Sequence, residues 1–63
     1  MFIEITTTKN ERRIVNTDKI LYCYEYKERI TFEMEDGTPI DTVHTRPEIE
    51  RVFLNYGMVF AIL

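Results

Sequence analysis

A short chain with one cysteine and one histidine has no internal means of cross-linking its fold. The chain has 63 residues, and Cys23 and His44 are the single members of their types. A disulfide needs a second cysteine and a structural zinc site needs four ligands, so one copy can build neither. Domains this small bury only roughly 60% of the surface that the unfolded chain exposes. We therefore expect one domain over residues 1–63, stabilised by a tight core or by a second subunit.

The composition is typical of a folded protein without broad affinity for nucleic acid or lipid. Hydrophobic residues make up 44% of the chain, with two glycines and two prolines, which disfavours disorder. The net charge of −3 disfavours non-specific binding to nucleic acid or anionic lipid. The first residues lack a signal-peptide pattern, and no apolar run is long enough to cross a bilayer. With one unpaired cysteine, we expect a cytoplasmic protein that does not enter the membrane.

Alternating apolar residues predict an antiparallel β-meander of four to five strands. β-branched and alternating segments indicate strands at 2–8, 12–15, 20–26 and 30–34. Polar residues at 9–11, 16–18 and 27–29 indicate the turns between them. The segments together predict an α+β fold once the single helix below is added.

The strongest local signal is the loop Glu35-Asp36-Gly37. A three-residue loop that ends in glycine favours a type I turn followed by a bulge, because glycine tolerates a positive φ. This loop pairs Phe32 with Ile40 and Ile30 with Thr42, whereas a two-residue loop pairs Phe32 with Asp41. Only the first register keeps the apolar side chains on one face, and we therefore expect it.

An amphipathic helix is predicted at about 46–56. Thr45 is a capping residue, Glu48 lies where a capping box requires an acid, and Gly57 suits the helix end. One apolar stripe runs along the helix at the spacing of a buried face. Its members are Ile49, Val52, Phe53 and Tyr56.

The last six residues, 58–63, are uniformly apolar and predict a buried C-terminal strand. Burial of five large side chains there is worth on the order of 10 kcal/mol, which matches the net stability of a small domain. One face of such a strand can pack on the meander, and the other needs a cover. We therefore expect a homodimer or a protein partner, with this candidate interface: Tyr22, Tyr24, Tyr26, Met58, Phe60 and Ile62.

The three tyrosines of segment 20–26 alternate, which places them on one face together with Ile20. The opposite face then carries Leu21, Cys23 and Glu25. Apolar groups on both faces favour a central strand that is covered on both sides, at least in part. Tyrosines also stack on nucleic-acid bases, but such surfaces usually interleave basic residues, so core or interface packing is favoured.

No catalytic, cofactor or metal site is predicted. The carboxylates Glu33, Glu35, Asp36 and Asp41 lack the ligand spacing of an EF-hand and fit a solvated acidic edge. His44 has no visible nucleophile or orienting group near it in the sequence, which favours a structural role. Cys23 lies within a strand among aromatic residues and is interpreted as a small core residue.

The order of these elements resembles the LytTR family, which are DNA-binding domains of bacterial response regulators. The resemblance covers roughly residues 12–60 and is carried by Ile20-Leu21-Tyr22, Asp36-Gly37, Glu48-Ile49-Glu50 and Gly57-Met58. It implies a bacterial, β-rich fold whose loops contact DNA. LytTR domains are longer, and their motif after the helix has no counterpart here, so no DNA-contacting residue carries over.

A second resemblance is to the small FlbD-like proteins of flagellar operons, through Asn16, Asp18, Ile20 and a glycine-centred hairpin. Two functions follow from the sequence as a whole. The first is a non-enzymatic interaction or assembly module that acts as a homodimer. The alternative is a LytTR-like DNA-binding or regulatory accessory protein, whose candidate phosphate contacts are Lys9, Arg12 and Arg13.

Overall fold

The computed structural model of the chain describes residues 1–58 and 61–63 and has the predicted α+β architecture. Five strands precede one α-helix, and a short 3-10 turn at Thr17–Lys19 joins the second and third strands. The elements are β1 (Phe2–Thr6), β2 (Arg12–Asn16), β3 (Ile20–Tyr26), β4 (Arg29–Met34), β5 (Pro39–Asp41) and α1 (Arg46–Asn55).

The strands form two antiparallel sheets that meet at one point. Strands β1 and β2 make a hairpin, and β3, β4 and β5 make a three-stranded meander. A bridge between Thr7 and Thr42 joins the two sheets just beyond the ends of β1 and β5. Two backbone bonds flank it, from the Thr8 N–H to the Asp41 carbonyl at 3.0 Å and from the Val43 N–H to the Thr6 carbonyl at 3.0 Å. Backbone hydrogen bonds therefore join the two sheets at this point.

The core lies between the inner faces of the two sheets and is closed by α1. Alternation along each strand sends every second side chain into it, as a half-buried sheet requires. Its buried hydrophobic members are Ile3, Ile5, Val15, Ile20, Cys23, Ile30, Phe32, Ile40, Ile49 and Phe53. The Phe32 and Phe53 rings lie with centroids 6.4 Å apart, so the helix packs on the centre of β4.

The predicted β4–β5 register is confirmed. Phe32 pairs with Ile40, and the Thr42 N–H donates to the Ile30 carbonyl at 3.0 Å. Gly37 has a φ of 85°, which explains why glycine suits the end of this loop. The Gly37 N–H donates to the Met34 carbonyl at 2.9 Å, which closes the turn before it. Loop length and glycine placement therefore fixed the register, as expected from the sequence.

The prediction that Ile20 shares a face with the three tyrosines is wrong. The register with β4 shifts by one residue between Ile20 and Tyr22, which is a β-bulge at Leu21. The bulge returns Ile20 to the inner face beside Cys23 and leaves Leu21 61% exposed. The expected cover on both faces of β3 is only partial on the outer face of a single chain, where Tyr24 is half-buried and Tyr26 is 60% exposed.

Helix α1 begins and ends close to the predicted positions. Thr45 and Glu48 form a capping box at its start, and Gly57, with a φ of 69°, follows its last turn. The Met58 N–H donates to the Phe53 carbonyl at 2.8 Å and closes the helix end. The predicted stripe turns outward at its last member, because Tyr56 is 53% exposed. Among the described residues, no helix has the length and apolar character needed to span a membrane.

The C-terminal segment meets the free edge of β3 at one parallel bridge between Ile62 and Cys23. The Leu63 N–H donates to the Cys23 carbonyl at 3.0 Å beside it. Residues 59 and 60, and with them the candidate Phe60, lie outside the described residues. Ile62 and Met58 are partly buried against the core, but Ala61 is exposed and Leu63 is 72% exposed, so the expected burial of the segment is wrong at these two residues.

Candidate interaction surface

The outer face of the three-stranded sheet carries aromatic and charged side chains in three cross-strand rows. Each tyrosine of β3 lies opposite a polar residue of β4, which places both on the same side of the sheet. Asp41 of β5 lies opposite Thr31 and extends the middle row. We call this surface the tyrosine face; it comprises Tyr22, Tyr24, Tyr26, Arg29, Thr31, Glu33 and Asp41.

Contacts within the tyrosine face hold its side chains in place. The Tyr22 and Tyr24 rings lie 6.1 Å apart with a tilt of 34°. The Tyr24 hydroxyl donates to Glu33 Oε1 at 3.3 Å, and partial desolvation together with this bond raises the pKa of Tyr24. Lys27 Nζ lies 5.4 Å from the centre of the Tyr26 ring, within the range of a cation–π contact. The tyrosines are therefore ordered but remain accessible.

Charge is distributed unevenly along the tyrosine face. Glu33 lies opposite Tyr22 at one end, whereas Arg29 lies opposite Tyr26 at the other, beside Lys27. Asp41 accepts a hydrogen bond from the Thr31 hydroxyl at 2.9 Å in the middle row. The face consequently has an acidic end and a basic end, with aromatic rings between them.

The structure divides the sequence-predicted interface residues between two sides of the sheet. Ile62 is aligned with Cys23, so its side chain shares the inner side and reaches the core, as Met58 also does. The next residue, Leu63, consequently falls on the tyrosine side, near Tyr24. Leu63 was not among the candidates, although simple alternation from Ile62 is the signal that could have selected it. Arg46 fixes the segment by donating from Nη2 to the Ile62 carbonyl at 3.2 Å.

Cys23 is fully buried beneath this surface and is not poised as a nucleophile. Burial raises the pKa of its thiol to about 11, and the nearby Arg46 only partly opposes that effect. The Sγ atom lies 3.8 Å from the Ala61 carbonyl, to which the thiol donates. A neutral, donating thiol fits the predicted core position.

His44 joins the first strand to the helix start. Its Nε2 accepts a hydrogen bond from the Thr6 N–H at 3.0 Å, so the ring proton lies on Nδ1, which is 3.2 Å from Glu48 Oε2. The bonds that Glu48 accepts, first from His44 and then from Thr45, lower the pKa of that carboxyl. The imidazole ring thus accepts the hydrogen bond from the Thr6 N–H that a backbone carbonyl would otherwise accept. This is a structural role, as the sequence analysis favours.

The basic residues proposed for nucleic-acid contact do not converge on one surface. Arg12 forms an ion pair with Glu4, with Nε 2.7 Å from Oε1, on the outer face of the β1–β2 hairpin. Arg13 follows it in β2 and points to the opposite face, where it lines a groove. Lys9 lies in the intervening turn and lines a second depression together with Arg13, beside the acids Glu11 and Asp41. The three basic side chains therefore do not form one continuous surface for a phosphate backbone.

The carboxylates interpreted as a solvated acidic edge each contact a different local partner. Asp36 accepts a hydrogen bond from the Thr38 N–H at 2.9 Å, which lowers the pKa of its carboxyl. Glu35 lies 3.8 Å from Lys19 Nζ. Within residues 1–58 and 61–63, the histidine, cysteine and acidic side chains form no group of three that could hold a metal ion.

Comparisons with family models, with curated proteins and with solved structures find no match to this chain. The resemblances to LytTR domains and FlbD-like proteins therefore stay predictions. Functional inference rests on the surfaces described above, chiefly on the tyrosine face.

Proposed function

We propose that this protein is a non-enzymatic interaction and assembly module that acts as a homodimer through the tyrosine face. The observation that carries the proposal is the exposure of ordered aromatic rings on a sheet face with charge of opposite sign at its two ends. Aromatic residues are enriched in the centres of protein interfaces, and exposed clusters of them mark binding surfaces.

The charge distribution favours a second copy as the partner. A two-fold axis that runs across the strands lays one tyrosine face on the other with the strands reversed. The Glu33 end of each copy then faces the Arg29 and Lys27 end of its partner, so the surface complements itself. Leu63 lies at the margin of this contact and adds apolar area that a single chain leaves in water.

The small size of the chain supports the same proposal. Residues 1–58 and 61–63 contribute ten buried hydrophobic side chains to the core, and a 63-residue domain with such a core has little excess stability. Covering Tyr22, Tyr26 and Leu63 removes further apolar surface from water, at roughly 25 cal/mol for each Å². The free and buried Cys23 supports a reducing compartment, and we place the protein in the bacterial cytoplasm.

The test is the solution mass of the protein by light scattering at tens of micromolar, compared with the chain mass of 7.6 kDa. We expect at least twice that mass. Tyr26→Glu places an acid against the partner's acidic end and weakens association by at least about tenfold, or ~1.4 kcal/mol. Tyr56→Glu is the matched control, because Tyr56 is similarly exposed but lies beyond α1. A monomeric wild-type protein, or equal effects of the two variants, contradicts the proposal.

The alternative function, a LytTR-like DNA-binding or regulatory accessory protein, has its own test. Binding that depends on phosphate contacts weakens steeply as salt rises. Retention of duplex DNA at about 50 mM salt, lost on Arg13→Gln, would favour this alternative. We expect no retention, because Arg12 is already paired with Glu4 and points away from Arg13.

A further inference from the structure

Strand β2 is an edge strand whose outer backbone groups at Arg12 and Ile14 have no partner among the described residues. Hydrogen bonds from the Thr7 N–H to the Glu11 carbonyl and from the Thr17 N–H to the Met1 carbonyl fix the alternation of the β1–β2 ladder. By that alternation Arg13 and Val15 bond to β1, while Arg12, Ile14 and Asn16 direct their N–H and C=O groups outward. The outer edge therefore presents unpaired N–H and C=O groups at Arg12 and Ile14 and an unpaired N–H at Asn16, whose C=O begins the 3-10 turn.

A groove of about 490 Å³ lies beside this edge, between β2 and the β4–β5 hairpin. Val15, Met34 and Ile40 provide its apolar lining. Arg13 lines the groove at the start of β2, and Glu35 and Asp36 line it near the end of β2. The Glu35 N–H bonds to the Lys19 carbonyl at 2.7 Å, which places the acidic hairpin tip at that end. Lys19 also lines the groove at this end, with Nζ 3.8 Å from Glu35 Oε2, so the two acids outnumber the one base there, whereas Arg13 makes the other end basic.

We infer that β2 pairs antiparallel with β2 of a second copy, centred on Ile14. In this register Ile14 bonds to the partner's Ile14, and Arg12 bonds to the partner's Asn16 on either side of the two-fold axis. Arg12 and Ile14 then gain both of their missing backbone bonds, and Asn16 gains a partner for its N–H. The two hairpins form one four-stranded sheet. No segment of the fold has to open, because the edge is already free.

Side-chain chemistry favours this self-pairing. Ile14 is 72% exposed on the outer face, and in the paired strands it packs against its own copy. Charged residues on edge strands usually discourage pairing. Here the antiparallel register separates the arginines and carries each Arg13 toward the partner's Glu35 and Asp36 on the groove side. Arg12 stays paired with Glu4 on the other face. The edge thus complements itself in hydrogen bonding, apolar contact and charge.

Two self-complementary surfaces on one chain have a consequence for assembly. If the tyrosine face joins two copies, the free β2 edges of that dimer can each take another dimer, which gives species larger than a dimer as concentration rises. This growth rests on the proposed function, because it needs the tyrosine face as its second contact. The β2 pairing itself does not need it.

The experiment measures sedimentation of the full chain over a concentration series, for wild type and three variants. Ile14→Lys sets two cations against each other at the two-fold axis. Ile14→Pro removes an outward N–H without touching the β1 ladder, a position where an edge strand tolerates proline. Leu54→Lys is the matched control, because Leu54 is also 72% exposed but lies on α1. Circular dichroism verifies that each variant is folded.

We expect wild type and Leu54→Lys to grow beyond the dimer, and both Ile14 variants to stop at twice the chain mass. Ile14→Lys combined with Tyr26→Glu should be monomeric. If Ile14→Lys is monomeric and Tyr26→Glu alone stays dimeric, the β2 pairing stands and the tyrosine-face dimer fails. Unchanged sedimentation of folded Ile14→Lys and Ile14→Pro overturns the β2 pairing and leaves the tyrosine-face dimer in place.

Discussion

The two sides of strand β3 differ in how much of their side-chain surface a single chain buries. On the inner side, Ile20 and Cys23 are buried within the hydrophobic core. On the outer side, Tyr22 and Tyr26 keep large exposed surfaces although their neighbours hold them in order. The inner side of β3 therefore stabilises the fold of one chain, whereas the outer side offers exposed surface for binding a partner.

Truncation of a core side chain on the inner side should lower the stability of the single chain more than a truncation on the outer side. Phe32→Ala removes a fully buried ring beside Phe53 and should lower the free energy of unfolding by about 3–5 kcal/mol. Thermal and urea unfolding measure this loss. Tyr24→Ala, on the outer side of the adjacent strand, serves as the comparison. A loss as large for Tyr24→Ala as for Phe32→Ala would mean that one chain needs both sides for its stability.

A substitution in the turn that joins β3 to β4 should raise the free energy of unfolding. Lys27 and Glu28 have φ values of 50° and 67°, in the left-handed region that residues with a side chain adopt at a cost. Glu28→Gly should therefore stabilise the protein by about 1 kcal/mol and leave association through the tyrosine face unchanged. Urea unfolding checks the first expectation and light scattering the second. Destabilisation by Glu28→Gly would show that the Glu28 side chain makes a contact worth more than the strain.

Removal of a single hydroxyl on the outer side should change the free energy of unfolding by a smaller amount. Tyr24→Phe removes the hydroxyl that donates to Glu33 and keeps the ring. We expect a loss of less than about 1 kcal/mol in unfolding free energy, because the bond is partly exposed to water. Denaturant unfolding of the two proteins gives the value. A loss above that size would place Tyr24 among the residues that stabilise the single chain.

The smallest effect should appear at the helix start, outside both sides of β3. The folded-state pKa of Glu48 lies below its ordinary value of 4.5, so its contribution is complete above that pH and is lost as pH falls through the lowered pKa. Glu48→Gln should therefore flatten the stability profile below pH 4.5. Thermal melts between neutral and acidic pH measure it, with Glu50→Gln as the control. Equal acid sensitivity of wild type and Glu48→Gln would contradict the assignment.

Local chemistry is what made much of the fold predictable. Asp36-Gly37 identified the hairpin loop and its register, and Thr45 with Glu48 identified the helix start, because each signal acts within a few residues. The bulge at Leu21 escaped prediction since no glycine or polar residue marks it. The positive φ values of Lys27 and Glu28 escaped for the same reason.

Contacts between distant residues account for the rest of what the sequence could not predict. His44 meets Thr6 across 38 positions, and nothing in either local sequence signals that contact. The alignment of Ile62 with Cys23 decides that Leu63 points to the tyrosine face, and it too depends on the tertiary fold. The sequence indicated the tyrosine cluster correctly as a group but not its charged ends, because Arg29 and Glu33 reach it from the neighbouring strand.

The most direct test of a self-complementary tyrosine face is nuclear Overhauser spectroscopy on a mixture of isotope-labelled and unlabelled chains. A two-fold axis across the strands predicts contacts between Tyr22 of one copy and the partner's Tyr26, and none between β2 and the partner's β3. Those contacts, lost on Tyr26→Glu, would support the account. Spectra that show a dimer without intermolecular tyrosine contacts, or a lone chain at the same concentration, would contradict it.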